Sequence, residues 1–525
     1  MLKEYLTSRR FPTDILLVVL GLALWLILLF FGLTLIMIFP QAASNPATYT
    51  ALLGSLALAV GAVFAMGLRP RLRAAFGIQS QPTGLKLPVL CFGAALLAFA
   101  ASVALSNALW NRRFAALKEE FEAKGLPVSL AEFQRDLPEG DYGQPVLEPL
   151  LADFDKENFY GGKLHPGEKL QPWTKKILEE ELPFVKRFEP VLAKHILPKL
   201  RRFPAYAKVD WVAASKNPWG SPVPKYADLI KLGSVLRLCA VSSAFTGAPA
   251  KAWNYVRSHL DFADTMAPDN WLISKMISLG LRNQAVRAAL TIMLNDPKQT
   301  LPADLAGRLE AALGTNLAAD GLRAELAAHW DSTRFFKDVT FSKYQETGGL
   351  SFDSNARRPG WVEYVFYRLL ISMGFFEANA SVVLKSLGGF AAATTWPQAK
   401  EAISSDRESD IYAAIPAWPY LLAAVAMPRF GDMLRKDWES KTWIQLALAC
   451  SALARHRAAA GRYPRGLADL PLKLISKDLL IDVFSGQPFA YAQTGGGLGF
   501  ELCSAGADGD KKDSRGDILC VRQGG

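Results

Sequence analysis

The side chains that could do chemistry are spread thinly along this chain of 525 residues. His259 and His456 fall on predicted helices near arginines, which predicts surface or helix-capping positions. The sequence contains no phosphate-binding loop, no nucleophile elbow and no dinucleotide-binding motif. We therefore predict no catalytic residue and favour a non-enzymatic protein. The histidines stand alone, without metal-site spacing, at His165, His195, His259, His329 and His456.

Two of the five cysteines could form a disulfide. Cys503 and Cys520 lie in two short apolar stretches, predicted as strands, that flank an acidic turn. Such a pair can be oxidised on the extracytoplasmic side of a membrane, provided that the two Cα atoms come within about 7 Å. Cys91 lies in a predicted span, and Cys239 and Cys450 fall on apolar helix faces, where buried thiols are usual.

The elements around this cysteine pair follow one another in a recognisable order. A helix ends at residues 461–464 (GRYP), and residues 482–491 (DVFSGQPFAY) follow it. The glycines at 495–497 predict a hairpin turn, after which comes FELCSAGADG at 500–509. The order resembles the C-terminal half of the major pseudopilins of type II secretion systems, over residues 450–522.

The resemblance implies a compact α+β terminal module that has been borrowed by a different protein. Val483 stands where the family has proline, and the family's processed N-terminal helix is absent, so we do not expect the chain to polymerise as a pilin. The remainder of the chain looks like bacterial membrane-anchored helical proteins, and that likeness implies no activity.

In the pseudopilin family the acidic loop of this module binds calcium, which makes calcium the one cofactor we expect. Calcium takes six to eight oxygen ligands in flexible geometry, and a carboxylate-rich loop suits it. Lys511, Lys512 and Arg515 offset the negative charge, which leaves open a solvated turn held by bonds from aspartate to backbone. The candidate ligands are Asp508, Asp510, Asp513 and Asp517.

Three long apolar stretches at the start of the chain predict membrane-spanning helices, at residues 15–39, 51–67 and 87–110. The N-terminal tail and the loop between the second and third stretches are basic, whereas the loop between the first two is uncharged. Because basic loops remain in the cytoplasm, the tail is predicted to be cytoplasmic. The chain after Trp110, which is predicted at the membrane–water interface, would then be extracytoplasmic; Arg112 and Arg113 weigh mildly against this orientation.

The rest of the chain predicts a mainly α-helical protein. Residues 114–124 should continue the third span as a charged stalk. Apolar residues at helical spacing, such as Leu229, Leu232 and Leu236, then predict successive amphipathic helices in an irregular bundle or helix-hairpin array. The predicted domains are a tail at 1–14, a three-helix membrane module at 15–110, a helical extracytoplasmic domain at 111–440 and the pseudopilin-like module at 441–525.

Two further apolar stretches raise the question of additional membrane contact. Residues 361–376 contain Glu363 and Arg368 and are short, which favours a helix of the protein core. Residues 411–427 are interrupted by Pro416 and Pro419, which favours a buried or groove-lining segment. A re-entrant or membrane-surface segment stays open for the second stretch.

These features favour a membrane-anchored envelope protein whose helical domain is a protein-interaction scaffold, with envelope or secretion-machinery proteins and membrane lipid as partners. One alternative is an enzyme or glycan-binding protein of the envelope, with a cleft lined by aromatic residues such as Trp211 and Trp219. Another is an accessory subunit of a transporter. Nucleic acid is not an expected partner, because about half of the net charge of +10 flanks the predicted spans and no basic run contains interleaved aromatics.

Overall fold

A computed structural model describes residues 86–133, 226–267, 272–346, 360–408, 430–507 and 519–524, with parts of 183–196. This part of the chain is mainly helical with a small three-stranded sheet, as predicted. The helices are α1 Lys86–Ala123, α2 Tyr226–Phe245, α3 Pro249–Met266, α4 Leu272–Asn295, α5 Ala303–Leu313, α6 Leu317–Asp338, α7 Phe341–Glu346, α8 Trp361–Ser372, α9 Phe375–Ala391, α10 Trp396–Glu408 and α11 Phe430–Ala460. The strands are β1 Ala490–Thr494, β2 Gly499–Cys503 and β3 Cys520–Gln523.

The chain divides into two compact units that it enters more than once. The first contains α1, the end of α6, α7, α8 and the start of α9. The second contains α2 to α5, most of α6, the end of α9, α10, α11 and the sheet. These units differ from the predicted domains, because the predicted boundary at 440/441 falls inside the single helix α11.

In the first unit, α1 runs without a break through the predicted end of the third span and on to Ala123, so the predicted continuation of this helix beyond Trp110 is confirmed. The helix ends where Gly125 adopts a φ of 64° and the Leu126 amide donates to the Phe121 carbonyl at 2.9 Å. A left-handed glycine beyond the last turn is a common helix terminator. The stalk buries Leu117 and Phe121 on one side.

In the second unit, α2, α3 and α4 pack against one another, and α11 packs against α4 and α5. The predicted apolar face of α2 is confirmed, since Leu229, Leu232 and Leu236 are fully buried. On α4, Ile277 and Leu281 are buried, whereas Ile273 in the first turn is 46% exposed.

The sheet belongs to the same core as the helical array. Its strands pair antiparallel in the order β1–β2–β3, and the turn at 495–497 between β1 and β2 has positive φ at all three glycines, as the predicted hairpin requires. Phe500, Leu502 and Val521 share one buried cluster with residues of α2 to α5. The C-terminal module is therefore packed into the helical array.

Candidate functional site

The exposed side of α1 is apolar in the part that corresponds to the end of the predicted third span. Its packed side contains the polar residues: Ser102 and Ser106 are buried and Asn107 is half-buried. A helix that faces water has the opposite arrangement, with polar residues outside. This stretch therefore has the polarity of a helix in an apolar surrounding. Its exposed residues are Leu96, Leu97, Ala100, Ala101, Ala104, Leu105 and Ala108.

The polarity of α1 reverses within one turn of Trp110. Asn111, Arg112 and Arg113 are the next exposed residues, and further exposed charges follow at Glu119, Glu120 and Glu122. Two surface ion pairs, Lys118 with Glu122 at 3.3 Å and Lys124 with Glu120 at 2.6 Å, add modestly to the stability of this end of the helix. One continuous helix thus changes from an apolar to a charged outer face at the predicted end of the span.

Trp110, which the sequence predicts at the membrane–water interface, has its side chain covered by protein. It is 5% exposed and packs against the turn between α8 and α9. Gly374 has a φ of 75°, and a Cβ on it would lie 2.9 Å from the Trp110 Cβ. The Ser106 hydroxyl donates to the Met373 carbonyl at 2.7 Å. The α8–α9 corner is therefore fixed to α1 just before the polarity change.

A buried charge lies beside this corner. Glu377 of α9 is fully buried and forms an ion pair with Lys337 of α6. Lys337 also donates to the Asn111 side-chain oxygen at 2.8 Å. A buried carboxylate needs such a partner, since removal of one partner leaves an uncompensated charge. The pair joins α6 and α9 to Asn111, where the exposed face of α1 becomes polar.

Helix α8 has a second exposed apolar surface. Trp361 is 66% exposed and Val362 77%, with Val365 and Phe366 also exposed one turn later. The opposite face packs through Tyr367 and Leu370 into the cluster that contains Trp110. The prediction of a core helix for residues 361–376 thus holds for one face only.

In the described part of the chain, no helix taken singly has the length and apolarity of a membrane span. Helices α8 and α9 meet that description only as a pair, and they are bent by 61° relative to each other. Most of α9 is buried, including Glu377. The pair is therefore better described as a core helix joined to a half-exposed one.

The structure joins Cys503 and Cys520 as a disulfide. They are directly opposed in the β2–β3 register, with their Cα atoms 4.2 Å apart, and the Ser504 amide donates to the Leu519 carbonyl at 2.9 Å just beyond them. Glu501 lies close enough to both sulfurs to suggest a metal site. However, the disulfide engages both sulfurs, and Arg522 donates to the Glu501 carboxylate at 2.6 Å.

The four candidate calcium ligands, Asp508, Asp510, Asp513 and Asp517, lie outside the described residues. So do Trp211 and Trp219 of the alternative aromatic cleft, the stretch 411–427 and the first two predicted spans. Only the two ends of the acidic loop are described, and they are held together by the disulfide.

Sequence reasoning missed Asp482, which links the two motif segments of the C-terminal module. This carboxylate is 1% exposed. One oxygen accepts from the Phe484 amide at 3.2 Å and the Ser504 hydroxyl at 2.8 Å. The other accepts from the Ser485 hydroxyl and the Ala505 amide, both at 3.0 Å. The available signal was the presence of both motif segments, DVFSG at 482–486 and SAG at 504–506.

Two histidine predictions had different outcomes. His456 lies at a partly exposed position, and its Nδ1 is 3.2 Å from the Arg462 carbonyl oxygen just beyond the end of α11. The surface position predicted for His259 was wrong: this side chain is 1% exposed, between α2 and α4. Burial, with the positive charge of Arg237 as a second cause, lowers the pKa of His259 to about 3, so the imidazole is neutral at ordinary pH.

The two thiols predicted to be buried are confirmed as buried, at Cys239 and Cys450. Burial raises the pKa of Cys239 to about 12 and that of Cys450 further still, because the thiolate is penalised in an apolar surrounding. Both are therefore structural, unreactive groups.

Comparison of the chain with protein-family models, with curated proteins and with solved structures found no significant match.

Proposed function

We propose that this protein is anchored in a bacterial inner membrane by three helices, with the N-terminus in the cytoplasm and the large helical domain outside. The main support is the polarity change of α1, from an apolar outer face before Trp110 to a charged one after it. A continuous helix with two such faces fits a span that emerges as a water-exposed stalk.

The helical domain acts, in this proposal, as a scaffold for envelope or secretion-machinery proteins. Among the described residues of the second unit, two arginines pair with aspartates between α3 and α5. Arg308 bonds Asp261 and Asp264, both at 2.8 Å, and Arg257 bonds Asp304 at 2.6 Å. The hydrogen bond from Arg257 lowers the pKa of Asp304, which makes this carboxylate a poor general base. The arrangement favours a rigid interaction surface over an active site.

The proposed topology is tested by protease treatment of spheroplasts that contain the full chain with a small tag at each end. The C-terminal tag should be lost from intact spheroplasts, and the N-terminal tag should be lost only after lysis. In the same samples, Cys503 and Cys520 should resist alkylation until a reductant is added, as expected outside the cytoplasm. A C-terminal tag that survives until lysis would contradict the orientation.

The scaffold role is tested by crosslinking in native membranes, followed by mild detergent extraction and identification of what co-purifies. A stoichiometric envelope or secretion protein is the expected result, and a tagged membrane protein of unrelated fold is the control. If the chain purifies alone at every crosslinker length, the scaffold proposal fails while the membrane anchor stands.

A further inference from the structure

We propose that α8 is a helix that contacts the membrane without crossing it. Its exposed face is embedded in the interfacial layer of the same bilayer and is formed by Trp361, Val362, Val365 and Phe366. The inference rests on the proposed membrane anchor and adds a second contact, on a helix that does not cross. In the membrane, lipid would cover this face of α8.

The depth of α8 follows from its attachment to α1. Its end is fixed at Ser106 and Trp110, the last turn before the polarity change. Further along, its packed face shares a cluster with Val103 of α1. Residues 103 to 110 of a helix cover about 10 Å, so the cluster that contains the packed face of α8 lies beside the final 10 Å of the predicted span. That is the depth at which interfacial helices bury their apolar face.

The composition of the exposed face fits lipid better than water. Four apolar side chains at positions i, i+1, i+4 and i+5 form one side of the helix, and the indole of Trp361 suits the membrane–water interface. Glu363 and Arg368 are exposed at the two edges of this face. A large apolar face bordered by charges is typical of a helix that lies at a membrane surface.

The apolar face of α8 and that of α1 belong to the same unit and to one bilayer in this proposal. The outer face of α1 shows Leu97, 74% exposed, and Leu105, 52% exposed. On the water side of the change in polarity, α1 exposes Arg112 and Arg113. These cations complement the phosphates of anionic lipids, which fits the height at which α8 would lie.

The test uses the full chain in vesicles of phosphatidylethanolamine and phosphatidylglycerol, in a Cys91→Ser background that leaves the buried and paired cysteines in place. A nitroxide is attached at Val362→Cys or, independently, at Val365→Cys. The measurement is the collision rate of the label with oxygen, which partitions into lipid, relative to that with a water-soluble nickel chelate. Leu97→Cys is the reference for the span and Glu119→Cys the reference for water. Unchanged melting temperatures show that each variant folds.

The expected result is a shift of the oxygen-to-nickel ratio at 362 and 365 away from the value at 119 and toward the value at 97. A water-like ratio at both positions with a lipid-like ratio at 97 would refute the membrane contact of α8 and leave the proposed anchor unaffected. Shielding from both reagents would also overturn it, since another segment of this chain, a second copy or a partner protein would then cover the face. A water-like ratio at 97 as well would reject the anchor itself.

Discussion

At the scale of single residues, the buried polar groups of this protein hold elements together. Asp482 accepts two hydrogen bonds within the DVFSG turn and two from Ser504 and Ala505 after β2, and so connects these segments. Asp437 of α11 accepts the amide of Ala318 at the start of α6 at 3.2 Å and so caps that helix. In both cases one carboxylate satisfies donors from a distant part of the chain.

Asp482→Ala should open the C-terminal sheet. The change leaves two amides and two hydroxyls without their acceptor, and unsatisfied buried donors cost roughly 1–3 kcal/mol each, which suggests a local loss of roughly 3 kcal/mol after relaxation. Native-state hydrogen exchange of the β2 amides measures it. Asp478→Ala, at an exposed aspartate nearby, is the matched control and should leave exchange unchanged. Equal exchange rates in the two variants would contradict this role.

Asp437 should make stability depend on pH. Burial raises its pKa from 3.8 to about 6, with Lys441 partly opposing the effect. Because the raised pKa favours the protonated form in the fold, its contribution is fully present below the ordinary pKa and is lost as the pH rises through about 6. The melting temperature of Asp437→Asn minus that of the wild type should therefore increase between about pH 4 and about pH 7.5, by the equivalent of at most about 3 kcal/mol. Asp432→Asn, at a surface position on α11, is the control. A difference that stays constant with pH would refute the assignment.

At the scale of elements, close helix contacts depend on particular glycines. A Cβ at Gly233 of α2 would overlap the Leu281 side chain of α4 and lie 3.0 Å from both the Gln284 amide oxygen and His259 Nε2. A Cβ at Gly280 of α4 meets nothing within 4 Å. An alanine at Gly280 therefore reports the effect of helix propensity on stability, whereas an alanine at Gly233 reports the effect of packing as well.

Gly233→Ala should destabilise the helical array by about 1–3 kcal/mol, since overpacking outweighs the gain in helix propensity. Gly280→Ala should instead stabilise it by about 0.5–1 kcal/mol. Thermal melting of the two variants in detergent gives the comparison. Stabilisation by both substitutions would show that α2 and α4 are not as close as described.

The acidic segment between β2 and β3 contains the four aspartates that the pseudopilin resemblance predicts as calcium ligands. The disulfide and the Ser504–Leu519 bond join the two described ends of this segment. Excess calcium should raise the melting temperature of the wild type relative to chelator, and Asp508→Asn with Asp510→Asn should abolish the increase. Identical wild-type melting curves in calcium and in chelator would refute calcium binding.

At the scale of the whole molecule, the C-terminal module depends on the helical array. Every residue of α11 from Ser440 to Ala454 is buried, which means that the helix is surrounded on all sides. Ser451 accepts the Leu301 amide at 3.0 Å, and Arg287 stacks over Trp443 at 5.0 Å. A pilin-like helix with one packed face would leave the other side in water.

Residues 441–525 expressed alone should therefore fail to fold, because the surface of α11 that packs on α4 and α5 would be exposed. Circular dichroism and nuclear magnetic resonance of the isolated segment measure this outcome, with Cys503 and Cys520 oxidised to exclude a redox effect. A well-dispersed spectrum from the isolated segment would restore the independent module that the pseudopilin resemblance implies.

The sequence by itself determined the local features whose cause is local. Apolar residues at helical spacing predicted the buried face of α2, charged residues predicted the stalk, and three glycines predicted the hairpin turn, because each signal acts within a few residues. Tertiary structure decided what depends on distant partners. The burial of His259 and Trp110, the anchoring bonds of Asp482 and the common core of sheet and helices depend on residues that are far apart along the chain. A local pattern can show which face of a helix is buried, but not which distant element covers it.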